Sequence, residues 1–223
     1  IAGSTVLSSL LPPWAHEGGV PELLNRLRSA EMRAKMRHDM EHGIGDWWNP
    51  SRNTTWDGVL MASSPLKPEI EGKTLTRLAR EAGQDPYDTL FDLLEQSRTQ
   101  ILMVIFLMNE ADVTTIMRDP HIMIGTDALA TGSKPHPRAY GTYPRILGKY
   151  VRQERVLSLP EAIRKMTSLP AQKFGLKDRG VIRERAFADL VIFDAKSVMD
   201  TATYEEPIQY PKGMPYVIVN GTL

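Results

Sequence analysis

The 223-residue chain contains no cysteine, which excludes disulfides and any thiolate metal ligand within these residues and fits a reducing compartment. Charge imbalance is absent too. The 27 basic residues against 27 acidic ones give no sequence-wide attraction for a polyanion, so nucleic acid is not an expected partner. No apolar stretch reaches the ~18 residues of a membrane-spanning helix, so a membrane is not an expected partner and a cytoplasmic location is the expectation. The longest apolar run, Ile101 to Met108, reads as a fully buried strand. An initiator Met and a charged signal-peptide region are also lacking. The chain opens Ile-Ala-Gly-Ser-Thr and closes Val-Asn-Gly-Thr-Leu without a tail, so both ends read as cut from a larger fold.

What is present is the composition of an ordinary globular protein, 42% apolar and 24% charged. Its most informative stretch is His121-Ile122-Met123-Ile124-Gly125-Thr126-Asp127-Ala128, followed by His136-Pro137-Arg138. It hangs one carboxylate, Asp127, on the end of an apolar segment. In barrels of alternating strands and helices the catalytic groups sit at the C-terminal ends of strands, and Asp127 has that position. The same residue could equally cap the next segment or start a turn with Thr126.

Along the chain, Leu10 to about Gly43 reads as an excursion: a loop from Leu11 to Gly19, then a helix opened by Pro21 and running to about His42, forming a lid-like surface pair. Trp47 and Trp48 lie in the loop from Gly45 to Pro50, where they could line a pocket or anchor the loop to the body. Val59 to Ala62 is a short strand. Two helices follow: Thr74 to Ala82, capped by Thr74, and Pro86 to Gln96, capped by Asp85 with Pro86 at its first position. The strand Ile101 to Met108, a helix through Arg118 and a strand His121 to Gly125 then read as a strand, helix, strand unit of a parallel sheet. A helix is expected from about Tyr143 to Glu154. Another follows Ser158, with Glu161 completing a capping box, and a third runs from Pro170 to Phe174 and stops at Gly175. The strands Ala188 to Asp194 and Tyr216 to Gly221 close the chain, and two strands alone make a marginal sheet.

Phe187-Ala188-Asp189-Leu190-Val191-Ile192-Phe193-Asp194 followed by Val217-Ile218-Val219-Asn220-Gly221 resembles the closing signature of the amidohydrolase superfamily. Ile124-Gly125-Thr126-Asp127, the run from His136 to Arg145, and Lys165-Met166-Thr167-Ser168-Leu169-Pro170 resemble the N-acyl-D-amino-acid deacylases, or D-aminoacylases, within it. Ala2-Gly3-Ser4-Thr5 resembles the tail of a motif that begins Tyr-Pro-Tyr in that family. The resemblance covers most of the chain from Val59 onward. Two features depart from it. The family's zinc ligands, a His-x-His on the first barrel strand, a Cys and two later His, have no counterpart among the five His here, and the stretch from Leu10 to Gly43 is absent from some members. His38 and His42, four apart on one helix, can chelate a metal or simply be solvated.

The resemblance implies an α/β fold: the C-terminal part of a (β/α)8 TIM-type metal-dependent hydrolase barrel in residues 1–180, with the lid-like insertion at about 10–50, and part of a small β-sandwich in residues 181–223. It implies zinc in the complete enzyme, with none held by this chain alone and the remaining ligands outside it. It implies hydrolysis of N-acyl-D-amino acids, Asp127 being the proton shuttle and also able to contact the metal. Arg138 would bind the substrate α-carboxylate, its alternative being a salt bridge to a nearby acid. Ser4 would place a hydroxyl near the same carboxylate, its alternative being a turn or cap residue. His136 is expected to position a loop rather than ligate. The expected partners are a small N-acylated D-amino acid and the N-terminal part of the same barrel. Another amidohydrolase acting on a cyclic amide or dipeptide, dihydroorotase- or dipeptidase-like, and a non-catalytic barrel fragment are the alternatives.

Overall fold

The computed structural model describes residues 3–129 and 132–223. Two compact units make up the chain, Ile1–Asn109 with Thr131–His136, and Glu110–Ala130 with Pro137–Leu223.

In the first unit, strand formation follows the apolar runs. β1 (Gly3–Val6), β2 (Val59–Ser63) and β3 (Leu102–Ile105) form one sheet in the order β1-β3-β2, and both pairings are antiparallel. Ser4 and Leu60 both stand opposite Val104. The sheet is thus antiparallel, where a parallel sheet is expected from the sequence. An uninterrupted apolar strand reports that both of its faces are covered and says nothing of its neighbours' direction. β2 is buried at all five positions and β3 at three of four.

Helices α1 (Gly19–Arg28) and α2 (Ala30–His42) replace the single helix expected from Pro21. The break falls at Ser29, whose extended backbone leaves its hydroxyl free to accept from Met32 N at 3.3 Å and cap α2. Leu23 and Leu27 of α1 and Met36 and Met40 of α2 enter one core cluster with Met61 and Met103 of the sheet. The stretch from Leu10 to Gly43 is thus structural as well as superficial. Trp47 packs against this core, while Trp48 is exposed. α3 (Leu75–Ala82) and α4 (Pro86–Gln96) start where their caps place them: Thr74 accepts from Arg77 N at 3.3 Å and Asp85 from Tyr87 N at 2.8 Å. α4 buries Leu90, Phe91 and Leu94 in the same cluster.

The second unit is mainly helical. α5 (Glu110–Arg118) precedes the Asp127 segment, and α6 (Arg138–Arg145) follows it. Past α6 the chain continues without a break as a π-helical stretch, Ile146–Gln153. Pro144, inside α6, has no N–H to donate. α7 (Leu159–Met166) is capped by Ser158, which accepts from Glu161 N at 3.4 Å, and α8 (Ser168–Lys173) ends before Gly175. Met117, Ile146, Tyr150, Leu157 and Ala162 form the core here. β4 (Leu190–Ile192) and β5 (Tyr216–Ile218) pair antiparallel, Leu190 opposite Ile218.

The strand expected at His121 to Gly125 does not form: among the described residues, 121–129 belongs to no sheet. Residues 119–124 are instead tied to α7 by side-chain and backbone hydrogen bonds. Ile124 N donates to Lys165 O at 3.1 Å, Lys165 Nζ donates to Ile122 O at 2.9 Å and to Asp119 O, and Arg164 Nη2 donates to Pro120 O at 2.6 Å. An extended segment needs partners for its carbonyls, and here a helix edge provides them. No helix among the described residues is long and apolar enough to cross a membrane.

Candidate functional site

Asp127 lies in the loop after the segment held by α7, with φ +44°, a left-handed conformation that aspartate tolerates better than most residues. Its side chain is 90% exposed. Arg138 is the first residue of α6, and its guanidinium Nη2 lies 2.7 Å from Asp127 Oδ2. The α6 turn that carries Arg138 is fixed by backbone bonds from Tyr140 N and Gly141 N to Pro137 O, at 3.0 and 2.9 Å, and by Thr142 Oγ1 donating to Arg138 O at 2.8 Å. Gly141 permits a close approach there, because an added Cβ would stand 3.0 Å from Asp200 Cβ. The structure thus brings Asp127 and Arg138 together in the second unit.

A second arginine lies one helix length away. Arg145 Nη1 donates to Asp200 Oδ2 at 3.0 Å; burial pushes its guanidinium down, and Asp200 outweighs that, leaving it raised. Burial also raises the Tyr204 phenol, against the opposing charges of Arg145 and Arg138. Next to these, Lys149 Nζ pairs with Glu110 Oε1 at 2.6 Å. Burial would raise the Glu110 carboxyl, but Lys149 and Tyr150 hold it below its ordinary value. Arg145 and Lys149 are therefore each matched by an acid.

Ser4 belongs to the first unit, on β1, with its backbone opposite Val104. Ala2 of the same motif lies outside the described residues. His136 also belongs to the first unit, at the end of residues 132–136. That piece is pinned by Glu71, whose carboxylate accepts from Ser64 N at 2.6 Å, Ser133 N at 3.2 Å and the Ser133 hydroxyl. Gly132 is required there: its φ is +78° and an added Cβ would stand 2.4 Å from Ser63 Cβ.

These residues do not by themselves fit zinc. Among the described residues no group of three or more His, Asp or Glu is placed to hold a metal ion. The His38 and His42 rings stack face to face, 4.3 Å apart, and His42 Nδ1 is 2.9 Å from His38 O, so their nitrogens do not converge on one point. His121 is exposed and pairs with Asp119. What the pair of Asp127 and Arg138 offers is an accessible carboxylate to move a proton and a guanidinium to receive an anion.

Beyond the motif that contains it, the sequence offers one signal for Lys165: it lies three residues after Ala162 on the buried face of α7, where a lysine is rarely found without a task. Its side chain is fully buried.

Comparison with known proteins accounts for the motifs. The amidohydrolase family model matches residues 15–223. The chain is 37% identical over 222 residues to N-acyl-D-glutamate deacylase of Alcaligenes xylosoxydans xylosoxydans, covering 98% of this chain and 44% of that protein. It is 42% identical over 154 residues to D-aminoacylase of the same organism, covering 69% of this chain and 31% of that one. A crystal structure of N-acyl-D-glutamate deacylase from Bordetella bronchiseptica, complexed with zinc and a phosphonate that mimics the tetrahedral intermediate, superposes with a TM-score of 0.71 at 31% identity. That match covers 93% of this chain and 50% of that one. The chain spans less than half the length of these two curated relatives. With a family match over nearly its whole length and a relative aligned over 98% of this chain, the chain belongs to the amidohydrolase family.

Proposed function

We propose that the protein hydrolyses the amide bond of N-acyl-D-amino acids, with Asp127 moving the proton and Arg138 holding the carboxylate of the substrate. The observation that carries this reading is the 2.7 Å contact between Arg138 Nη2 and Asp127 Oδ2, which sets a proton acceptor beside an anion receptor. Amide hydrolysis needs water deprotonated as it attacks and the departing nitrogen protonated as it leaves. One carboxylate can do both in turn. The planar guanidinium suits a carboxylate, which it can grip through two parallel N–H donors.

The contact between the two residues does not block this use. Asp127 is 90% exposed, and an ion pair so open to water contributes less than about 1 kcal/mol. Charge-assisted hydrogen bonds to a bound substrate are worth roughly 1.5–3 kcal/mol, so a substrate carboxylate competes well for Arg138 and leaves Asp127 to the reacting water. Ser4 is proposed to add a hydroxyl to the carboxylate subsite in the complete protein.

Zinc is proposed as the cofactor of the complete protein, held by ligands from the N-terminal part of the same barrel with Asp127 as the contact from this chain. When bound it would activate water and polarise the amide carbonyl. The zinc and phosphonate in the related Bordetella structure support this reading. In the same proposal residues 1–180 belong to a TIM-type barrel, residues 181–223 to a β-sandwich, and the protein is cytoplasmic. The 223 residues alone are proposed to retain no stoichiometric zinc and to be inactive, which elemental analysis and an activity assay read directly.

The testing experiment is turnover by the complete protein of N-acetyl-D-amino acids, their L enantiomers and dihydroorotate. Hydrolysis confined to the D compounds is the expected result. Turnover of dihydroorotate alone would move the reading to a cyclic amide, and turnover of none would favour a non-catalytic barrel.

A further inference from the structure

Lys165 is fully buried, yet nothing in amide hydrolysis as read above calls on it. Burying a lysine is costly unless its amino group is hydrogen-bonded. Here Nζ donates to Ile122 O at 2.9 Å and to Asp119 O, with Glu161 Oε1 3.8 Å away. Both acceptors lie in the segment that leads to Asp127. The backbone of the same residue accepts from Ile124 N at 3.1 Å, and Arg164 Nη2 adds a bond to Pro120 O at 2.6 Å. Four hydrogen bonds from two adjacent residues of α7 thus grip residues 119–124, a segment that no strand pairing holds. The last gripped residue is three positions before Asp127, and the loop beyond it carries an exposed side chain in a left-handed conformation.

We propose that Lys165, with Arg164 beside it, is a positioning residue for Asp127: the grip on the carbonyls of Asp119, Pro120 and Ile122 fixes where the loop bearing that carboxylate emerges. The inference rests on the reading of Asp127 as the proton-transferring group. It assigns the lysine a task that neither proton transfer nor carboxylate binding supplies. A lysine suits that task because one flexible stem can reach two carbonyls from a buried helix face.

The test is a double-mutant cycle in the complete protein, with Lys165→Met removing the donor while keeping the stem, and Asp127→Asn removing the group to be positioned. Lys165→Met should lower kcat roughly 10- to 100-fold with KM within about 2-fold, the cost of a misplaced catalytic group. In the Asp127→Asn background the same change should lower kcat less than about 2-fold, because there is no longer a carboxylate to misplace. Equal losses in both backgrounds would overturn the inference and leave Lys165 a stabiliser of α7. If Lys165→Met does not fold, the cycle runs with Arg164→Met, which removes the more accessible part of the grip; coupling to Asp127 supports the proposal and additivity overturns it. Turnover retained by Asp127→Asn alone would overturn the reading of Asp127 and this inference with it, whereas a large loss there with additive cycles overturns the positioning role only.

Discussion

Arg138 donates through Nη2 to Asp127 Oδ2 at 2.7 Å, so the residue assigned to carboxylate binding and the residue assigned to proton transfer hold one another. They differ in freedom. Arg138 is 19% exposed and rooted in the first turn of α6, whereas Asp127 is 90% exposed on a loop, so in the proposed reading the aspartate is the partner that gives way to a substrate carboxylate.

Replacing Asp127 by Asn keeps the shape of the side chain and removes its ability to take and return a proton. In the complete protein kcat should fall roughly 10²- to 10⁴-fold, the usual contribution of a positioned acid or base. Zinc content, measured by elemental analysis, should fall much less. An Asn variant with most of its turnover would return Asp127 to the role of a turn residue.

Leu27 tests whether the helices between Leu10 and Gly43 are part of the body. Its side chain is fully buried in the cluster that contains Met61 and Met103. Leu27→Ala should cost about 2–5 kcal/mol in equilibrium unfolding, the range for a truncated core leucine. A loss below about 0.5 kcal/mol, typical of a surface position, would make this region a detachable lid.

Glu71 gives a pH dependence of known sign. Burial pushes its carboxyl up, but the Ser133 hydroxyl and the amides of Ser64 and Ser133 outweigh burial and hold it below the ordinary glutamate value. A depressed folded-state value contributes stability that is complete above the unfolded value, about 4.3, and is lost as pH falls through the folded one. Wild type should therefore exceed Glu71→Gln in Tm from pH 7 down to about 4.3, and the gap should close at more acidic pH. A gap that stayed constant across this range would show that the carboxylate charge contributes nothing.

The parts legible in the sequence were those fixed by neighbours. Thr74, Asp85 and Ser158 were readable as caps because each bonds an amide two or three residues away. The strand pair Leu190–Ile192 and Tyr216–Ile218 was readable from its β-rich runs. Residues 121–125 were misread because an apolar run does not say who satisfies its carbonyls, and the answer, Lys165, lies more than 40 residues away. The break at Ser29 escaped because the helical periodicity continues across it, and only the hydroxyl accepting from Met32 N marks the new start. At the site, the motifs point to Asp127 and Arg138, and a salt bridge from Arg138 to a nearby acid is one of the readings they allow. What the sequence could not show was that the acid is Asp127, since that depends on the left-handed turn at Asp127 and the start of α6 at Arg138.

The most direct test of the central claim is the preference of Arg138→Lys, in the complete protein, for an N-acyl-D-amino acid over its neutral amide. Lysine keeps the charge and loses the two-donor geometry, so kcat/KM on the acid should fall by an amount equivalent to about 1.5–3 kcal/mol, the scale of a charged hydrogen bond. The neutral amide should be almost unaffected, and the strong preference of the wild type for the acid should largely disappear. Equal losses on both substrates would contradict the account: Arg138 would then serve only to hold the loop that carries Asp127, and the class of substrate would be open again.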